Sequence, residues 1–456
     1  MKRLIKHLLV LAIMFSVVSV YAQNKRSLNN YREPSKEGIN VFESPKDTAV
    51  IKAFEGVRVR IGGSSTLQFQ AIDHENGRPA ESTIMPGSPW FSPDPGDPMV
   101  NTNLPLKEIG SNFNLATANL DLDVELHDGL RMHLRTYLSS RHHPEAWVKG
   151  GYIQIDNLNW IGEGTLSELM EKVTVKIGHM EVNYGDQHFR RSDNAQTIYN
   201  PFVGNTIMDG FSQEVGGEIY YRNNGWIAMV GLYNGKLNQA VNNPETTSPS
   251  VIGKLGWDKQ MSEDLRLRLT GSVYNTAHTS RVYLYGADRG GSRYYFVMED
   301  ANASSGGRGY FTSGRVDPGF NNEVTAIMIN PFVKYQGLEI FGLFETATGR
   351  ADSEFDASGN NIDRTWTHIM AEVLYRFGNN ENFYVGGRYN TASGEMQGMT
   401  SDVTISRFNI GGGVFFTKNV LAKIEYVSQS YDDFPVGSQF NEGKFNGVVI
   451  ESVISF

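Results

Sequence analysis

From Val57 to Phe456 the chain alternates apolar and polar residues in short runs, with no long apolar stretch and no sustained helical period. A period of two sends successive side chains to opposite faces of a sheet. The alternation divides into about sixteen runs. They lie near 57–72, 112–126, 130–140, 146–156, 172–180, 211–221, 225–233, 250–258, 264–274, 323–335, 338–347, 364–377, 382–391, 402–416, 420–430 and 444–456. A turn or two of helix is expected only around Leu166–Glu171. The connections alternate too. Short links such as His127-Asp128-Gly129, Asn223-Asn224-Gly225, Gln336-Gly337 and Lys418-Asn419 exchange with long polar ones such as 73–111, 181–210, 275–322 and 431–443. That order predicts an all-β fold, a transmembrane antiparallel up-and-down β-barrel with short periplasmic turns and long extracellular loops.

One hairpin fixes its own register. Leu122, Val124 and Leu126 alternate with Asp121, Asp123 and Glu125; across Gly129, Leu130, Met132 and Leu134 alternate with Arg131, His133 and Arg135. A three-residue turn pairs Leu126 with Leu130, Val124 with Met132 and Leu122 with Leu134. The same register sets Glu125 against Arg131, Asp123 against His133 and Asp121 against Arg135. One face is then apolar and the other a ladder of opposite charges. Around Gln336-Gly337, Val333 faces Ile340 outward and Lys334 faces Glu339 inward. Around Gly378–Asn382, Tyr375 faces Val385 and Glu372 faces Arg388. In the runs 402–416 and 420–430, either parity leaves Phe or Ile inside. Aromatics gather beside the short turns: Tyr220, Tyr221, Trp226, Trp257, Tyr335, Phe377, Phe383, Phe415 and Phe416. Such rings suit a membrane–water interface.

The ends and the composition place the chain in a compartment. Lys2, Arg3 and Lys6, the apolar run Leu8–Val20 and the small residues to Ala22 read as a signal peptide over 1–22. Residues 23–56 are polar and irregular, a periplasmic lead-in, and 57–456 make the barrel. The chain holds no cysteine, which excludes disulfides, thiolate metal sites and a lipid-anchored amino terminus. Its net charge of −9 argues against a nucleic-acid partner. Mean hydropathy is −0.35. A barrel tolerates that value, because only alternate strand residues meet lipid.

The final run, with Val448, Ile450, Ser452, Ile454 and a terminal Phe456, resembles the closing strand of Gram-negative outer-membrane barrels. That resemblance implies recognition of Phe456 by the barrel-assembly machinery. Val175-Lys176-Ile177-Gly178-His179-Met180 and Asn330-Pro331-Phe332-Val333-Lys334-Tyr335-Gln336-Gly337-Leu338-Glu339 resemble strand and hairpin motifs of the phosphate-selective O/P-type porins. The likeness implies a sixteen-stranded porin, a homotrimer in outer-membrane lipid, passing small hydrophilic solutes or ions by diffusion without a cofactor. The family's lysine-rich phosphate ladder has no counterpart here, so phosphate selectivity does not carry over.

In such porins the third extracellular loop folds inward and sets the narrowest point. The matching loop, 181–210, carries Asp186, His188, Arg190, Arg191 and Asp193, expected to face a constriction and to set a transverse field. The expected lumen wall bears Asp121, Asp123, Glu125, Arg131, His133, Arg135, Arg266, Arg268, Lys334, Glu339, Glu372, Arg376 and Arg388. No metal site and no catalytic residue is expected. Asp352, Glu354, Asp356, Ser358 and Asp363 have calcium-like spacing, but Ala357 replaces the required glycine. Arg141-His142-His143 reads as a loop tip, and Asn302-Ala303-Ser304 matches a glycosylation sequon. A barrel hydrolase would need a nucleophile beside a histidine and an acid; His133 with Asp123 is the one predicted pair, and no serine joins it. A substrate-specific passive channel, an envelope-complex component and a soluble exported β protein are the other readings.

Overall fold

The computed structural model describes residues 28–46, 52–77, 106–139, 146–235, 247–279, 282–286, 293–299, 314–435 and 438–456. The expected signal peptide, Arg141-His142-His143 and the Asn302 sequon lie outside them. Sixteen strands form one closed sheet. They are β1 (Arg58–Glu75), β2 (Asn112–His127), β3 (Leu130–Ser139), β4 (Ala146–Ile155), β5 (Val173–Glu181), β6 (Gln213–Asn223), β7 (Trp226–Tyr233) and β8 (Ser250–Gln260). The second half comprises β9 (Leu265–Thr276), β10 (Glu323–Tyr335), β11 (Leu338–Arg350), β12 (Arg364–Phe377), β13 (Phe383–Glu395), β14 (Asp402–Thr417), β15 (Val420–Asp432) and β16 (Lys444–Ser455). Each pairs with its sequence neighbour, and β1 closes the ring on β16 with Ser64 opposite Ser455. The expected runs recur as these strands with small shifts at their ends, the largest at β13, which continues to Glu395 rather than 391. The predicted helical turn is Ser167–Met170.

Turn chemistry explains the tight end of the barrel. Asn224 and Gly225 both take positive φ, as the two-residue turn that matches strand twist requires. Gly129 also has positive φ, and a Cβ there would meet the Asn157 side chain at 2.3 Å. The β2–β3 register pairs Asp121 with Arg135, Asp123 with His133 and Glu125 with Arg131. The turn itself differs from expectation. His127, not Leu126, opposes Leu130, and Leu126 is the extra residue of a bulge. Val333–Ile340, Lys334–Glu339, Tyr375–Val385 and Glu372–Arg388 are opposed as read. Gly411, Gly412 and Gly413 lie mid-strand, where a Cβ would strike a neighbouring strand's backbone or the Tyr384 ring within 2.6 Å.

Outward residues are apolar along the wall: Leu120, Val230, Leu232, Leu255, Ile410 and Ile450 are all exposed. A closed barrel with a continuous apolar exterior satisfies its backbone internally and needs lipid around it. Tyr221, Trp226, Tyr335, Phe377, Phe383 and Phe416 lie on that exterior beside the short turns. Tyr220 and Phe415 do not; at 2% and 3% exposure they point into the lumen. They lie on the inward parity, where they pack against chain rather than lipid.

That chain is the second departure from expectation. Residues 28–46, read as a periplasmic lead-in, lie inside the barrel at its short-turn end. Lys36 Nζ donates to Asn382 Oδ1 at 2.6 Å, Lys46 Nζ to the Val173 carbonyl at 2.9 Å and Arg266 to the Asn40 carbonyl at 2.9 Å. From the other end the link between β5 and β6 and the described residues of the link between β9 and β10 also turn inward. Val203, Ile207, Met208, Leu284, Tyr294 and Val297 join inward wall residues such as Met328, Phe332 and Phe341 in one buried cluster. This settles the parity of β14 and β15. Ile405 and Val427 face in because packed loops, not water, meet them.

Candidate functional site

Between Glu181 and Gln213 the chain crosses the lumen from the β8–β9 wall to the β13–β15 wall. Every position from Val182 to Ser212 except Phe189 is buried. Near its start, Asp186 accepts two hydrogen bonds from the Arg268 guanidinium at 2.8 Å, one from the Thr270 hydroxyl at 2.8 Å, and an ion pair from Lys254 at 2.8 Å. Its amide donates to Asn330 Oδ1 at 2.8 Å. Burial pushes the Asp186 carboxyl up, but Arg268 and Lys254 outweigh it and hold the pKa down to about 2. Arg268 reaches past the loop to Glu43 of the amino-terminal segment, at 2.8 and 2.9 Å. Glu43 is likewise buried, yet Arg268 and Lys254 keep it well below the usual carboxylate range.

Arg190 joins three segments. It donates to Glu372 at 2.6 Å and to Asn40 Oδ1 at 2.6 Å, with Glu339 at 3.7 Å. Arg388 holds the other side of Glu372 at 2.7 Å and donates to the Gly204 carbonyl at 2.8 Å; Arg376 holds Glu339 at 2.7 Å. Arg191 lies between Asp193 and Asp209, with bonds of 2.5 to 2.9 Å, and stacks 3.6 Å above the Phe211 ring. Planar two-bond pairs of this kind fix geometry as well as charge. His188 Nε2 lies 3.0 Å from Asn183 Oδ1, and burial lowers its pKa, so the ring is neutral at pH 7. At the far wall, the Val203 amide donates to Glu425 at 2.7 Å, the Ile207 amide to Asn390 at 2.6 Å, and Lys423 to the Phe202 carbonyl at 2.7 Å.

The five loop residues expected at a constriction are thus inside the lumen but turned into pairs. Asp186, Arg190, Arg191 and Asp193 form the brace that seats the loop, not an open ring of charge. The wall charges also pair, though not always with the residue opposite. Arg135 binds Asp121 at 2.7 Å. Arg131 passes over Glu125 to reach Asp123 at 3.1 Å, while Glu125 takes Arg58 at 2.6 Å. His133 Nδ1 lies 2.9 Å from Asp123, which Arg60 also approaches at 3.4 Å. That pair is braced by two arginines. Arg266 binds Asp258 at 2.6 Å, and Lys334 binds Glu381 at 2.8 Å and Glu339 at 3.5 Å. Glu354, from the calcium-like segment, is occupied by Arg364 at 2.6 Å.

Asn40, Glu43, Asp209, Lys254, Asn390 and Glu425 are the partners that sequence reading missed. Lys254 and Asn390 had a usable signal, since they share the inward parity of β8 and β13. The others come from irregular segments or answer a loop whose path no periodicity describes.

Two open spaces lie between the inward segments and the wall. A chamber of about 150 Å³ opens against β3–β6, bordered by Tyr152, Lys176, Glu181 and the amino-terminal segment. A vestibule of about 590 Å³ opens at the short-turn end beside Arg222, Trp226 and Arg266. Phe42 and Glu43 border both.

No protein-family model matches the sequence, and no curated protein matches it. Solved structures do. An anion-selective porin from Comamonas acidovorans superimposes with a TM-score of 0.50 at 11% identity, over 88% of this chain and 100% of that one. The chain has the porin barrel fold. OmpT of Vibrio cholerae, at 10% identity, covers 89% of this chain and 99% of its own with a TM-score of 0.49. The outer-membrane channel DcaP of Acinetobacter baumannii, at 11% identity, gives the same coverage and score.

Proposed function

We propose that the protein resides in the outer membrane of a Gram-negative bacterium as a passive channel for small hydrophilic solutes or ions. The observation that carries this reading is a closed barrel, apolar outside, whose charged lumen is crossed by a loop seated on the wall. A wall of paired charges presents water-compatible surface, while lipid faces only apolar side chains. The inward segments favour a narrow, solute-discriminating passage over a wide general pore. A homotrimer, assembly through the Phe456 strand and kinship with the O/P-type porins belong to the same proposal, and phosphate selectivity does not. An enzyme is disfavoured, since the His133–Asp123 pair is held by Arg131 and Arg60 and no serine among the described residues bonds to it.

Purified protein showing heat-modifiable gel migration is reconstituted for liposome swelling with solutes of graded size. Swelling with small solutes and a sharp cutoff is expected. No swelling with any solute, from protein that migrates as a folded barrel, overturns the channel.

A further inference from the structure

We propose that the chamber against β3–β6 is a binding subsite for a small cyclic carboxylate, with the carboxylate on Lys176 and Arg32 and the ring against tyrosine and phenylalanine faces. The ligand is called a solute only because the barrel is read as a channel, so this inference rests on that reading.

The argument begins with charge. Of the five Lys and Arg side chains around the chamber, Arg131 and Arg135 are taken by Asp123 and Asp121, and Lys149 lies 5.1 Å from the Tyr137 ring centre. Lys176 has no carboxylate within ion-pair reach among the described residues. Its ammonium instead lies 5.5 Å from the Tyr152 ring centre and 5.3 Å from that of Tyr220. Glu218, opposite it on β6, accepts from the Asn183 amide at 3.0 Å and from the hydroxyls of Tyr220 and Tyr233. Arg32 donates to two backbone carbonyls, of Gly38 at 3.1 Å and Phe189 at 2.9 Å, and stacks 3.7 Å above Tyr199. Both bordering acids are engaged. Glu43 is bound by Arg268, and Glu181 accepts from Asn194 at 2.9 Å and from Gln196 at 2.7 Å. An anion entering here supplies the counter-charge that Lys176 and Arg32 lack, through charge-assisted hydrogen bonds.

Size and lining decide the rest. A cavity of about 150 Å³ matches the volume that accommodates benzene, so a single ring fits and a disaccharide does not. Tyr152, Tyr220, Phe42 and Phe189 all border it. Aromatic faces beside cations suit a flat ring bearing one negative group, whereas a bare inorganic anion leaves those faces in water.

The test uses the full-length barrel in detergent micelles, with benzoate as probe and saturation-transfer NMR as readout, protein-free micelles giving the blank. Saturable benzoate binding is expected, with benzamide weaker by about tenfold or more, the factor lost with one charged hydrogen bond. Lys176→Met should weaken benzoate by a similar factor and Lys176→Arg should restore it. Arg32→Gln, which lies outside every strand, gives an independent second loss. Benzamide binding as well as benzoate, inorganic phosphate displacing benzoate as well as more benzoate does, or unchanged binding in Lys176→Met and Arg32→Gln each overturn the subsite. Binding in micelles requires no conduction. A barrel that binds benzoate but passes nothing contradicts the channel alone, and one that swells liposomes but ignores benzoate contradicts the subsite alone.

Discussion

Asp186 concentrates the logic of the lumen in one side chain. Its carboxylate is buried, met by Arg268, Lys254 and Thr270, and its pKa is held down to about 2. A depressed folded-state value means that the ion pair stabilises the seated loop fully above the unfolded value of about 3.9. That contribution fades as pH falls below it and is gone below about 2. Glu43, held low by the same two cations, follows the same direction. Current noise and mean conductance should therefore be steady from pH 5 to 8 and rise as pH falls below about 4; a flat profile down to pH 2 contradicts the brace. Arg191→Ala removes the shared partner of Asp193 and Asp209, and breaking a buried pair this way costs about 3–5 kcal/mol. Faster protease cleavage within 182–212 and a shifted reversal potential are expected, and wild-type cleavage with an unchanged potential counts against it. The charge cluster at 186–193 was legible in sequence because its residues are adjacent. Its neutralisation was not, because Asn40, Lys254, Arg268 and Glu372 approach from segments far along the chain.

Strands and turns were legible for a physical reason. A wall with lipid on one face and lumen on the other imposes a period of two, and a slip of one residue would turn every Leu of β2 inward. Hence Asp121–Arg135 and Glu372–Arg388 could be paired in advance, while the bulge at Leu126 could not, since it depends on how the turn closes. The amino-terminal segment escaped because it has no period and its burial is conferred by the barrel it enters. Residues 28–46 contribute to no strand of the sheet, so deleting them should leave a heat-modifiable barrel. The deletion should admit larger solutes in liposome swelling; an unchanged size cutoff contradicts their role in narrowing the short-turn end. Tyr220, Phe415, Ile405 and Val427 follow the same reasoning. Their inward orientation makes sense only once loops fill the lumen.

At the scale of the whole molecule, two surfaces of opposite character share each strand. The exterior is apolar where it meets lipid, and the interior is charged and largely neutralised in pairs, with Lys176 and Arg32 left on tyrosine rings and backbone carbonyls. Val230, 63% exposed at mid-strand in β7, tests the outer surface. Val230→Lys should cost about 2–4 kcal/mol of folding into lipid vesicles, as a lysine near the bilayer midplane does, read by urea titration of the gel shift. A cost near zero argues that this face meets water. The interior is tested most directly by single-channel conductance in planar bilayers, with the intact protein and the 28–46 deletion measured side by side. The expected result is small, ohmic steps for the intact protein and clearly larger ones for the deletion. Absence of steps from correctly folded protein, or intact-protein steps as large as those of the deletion, would contradict a barrel channel narrowed by its own chain.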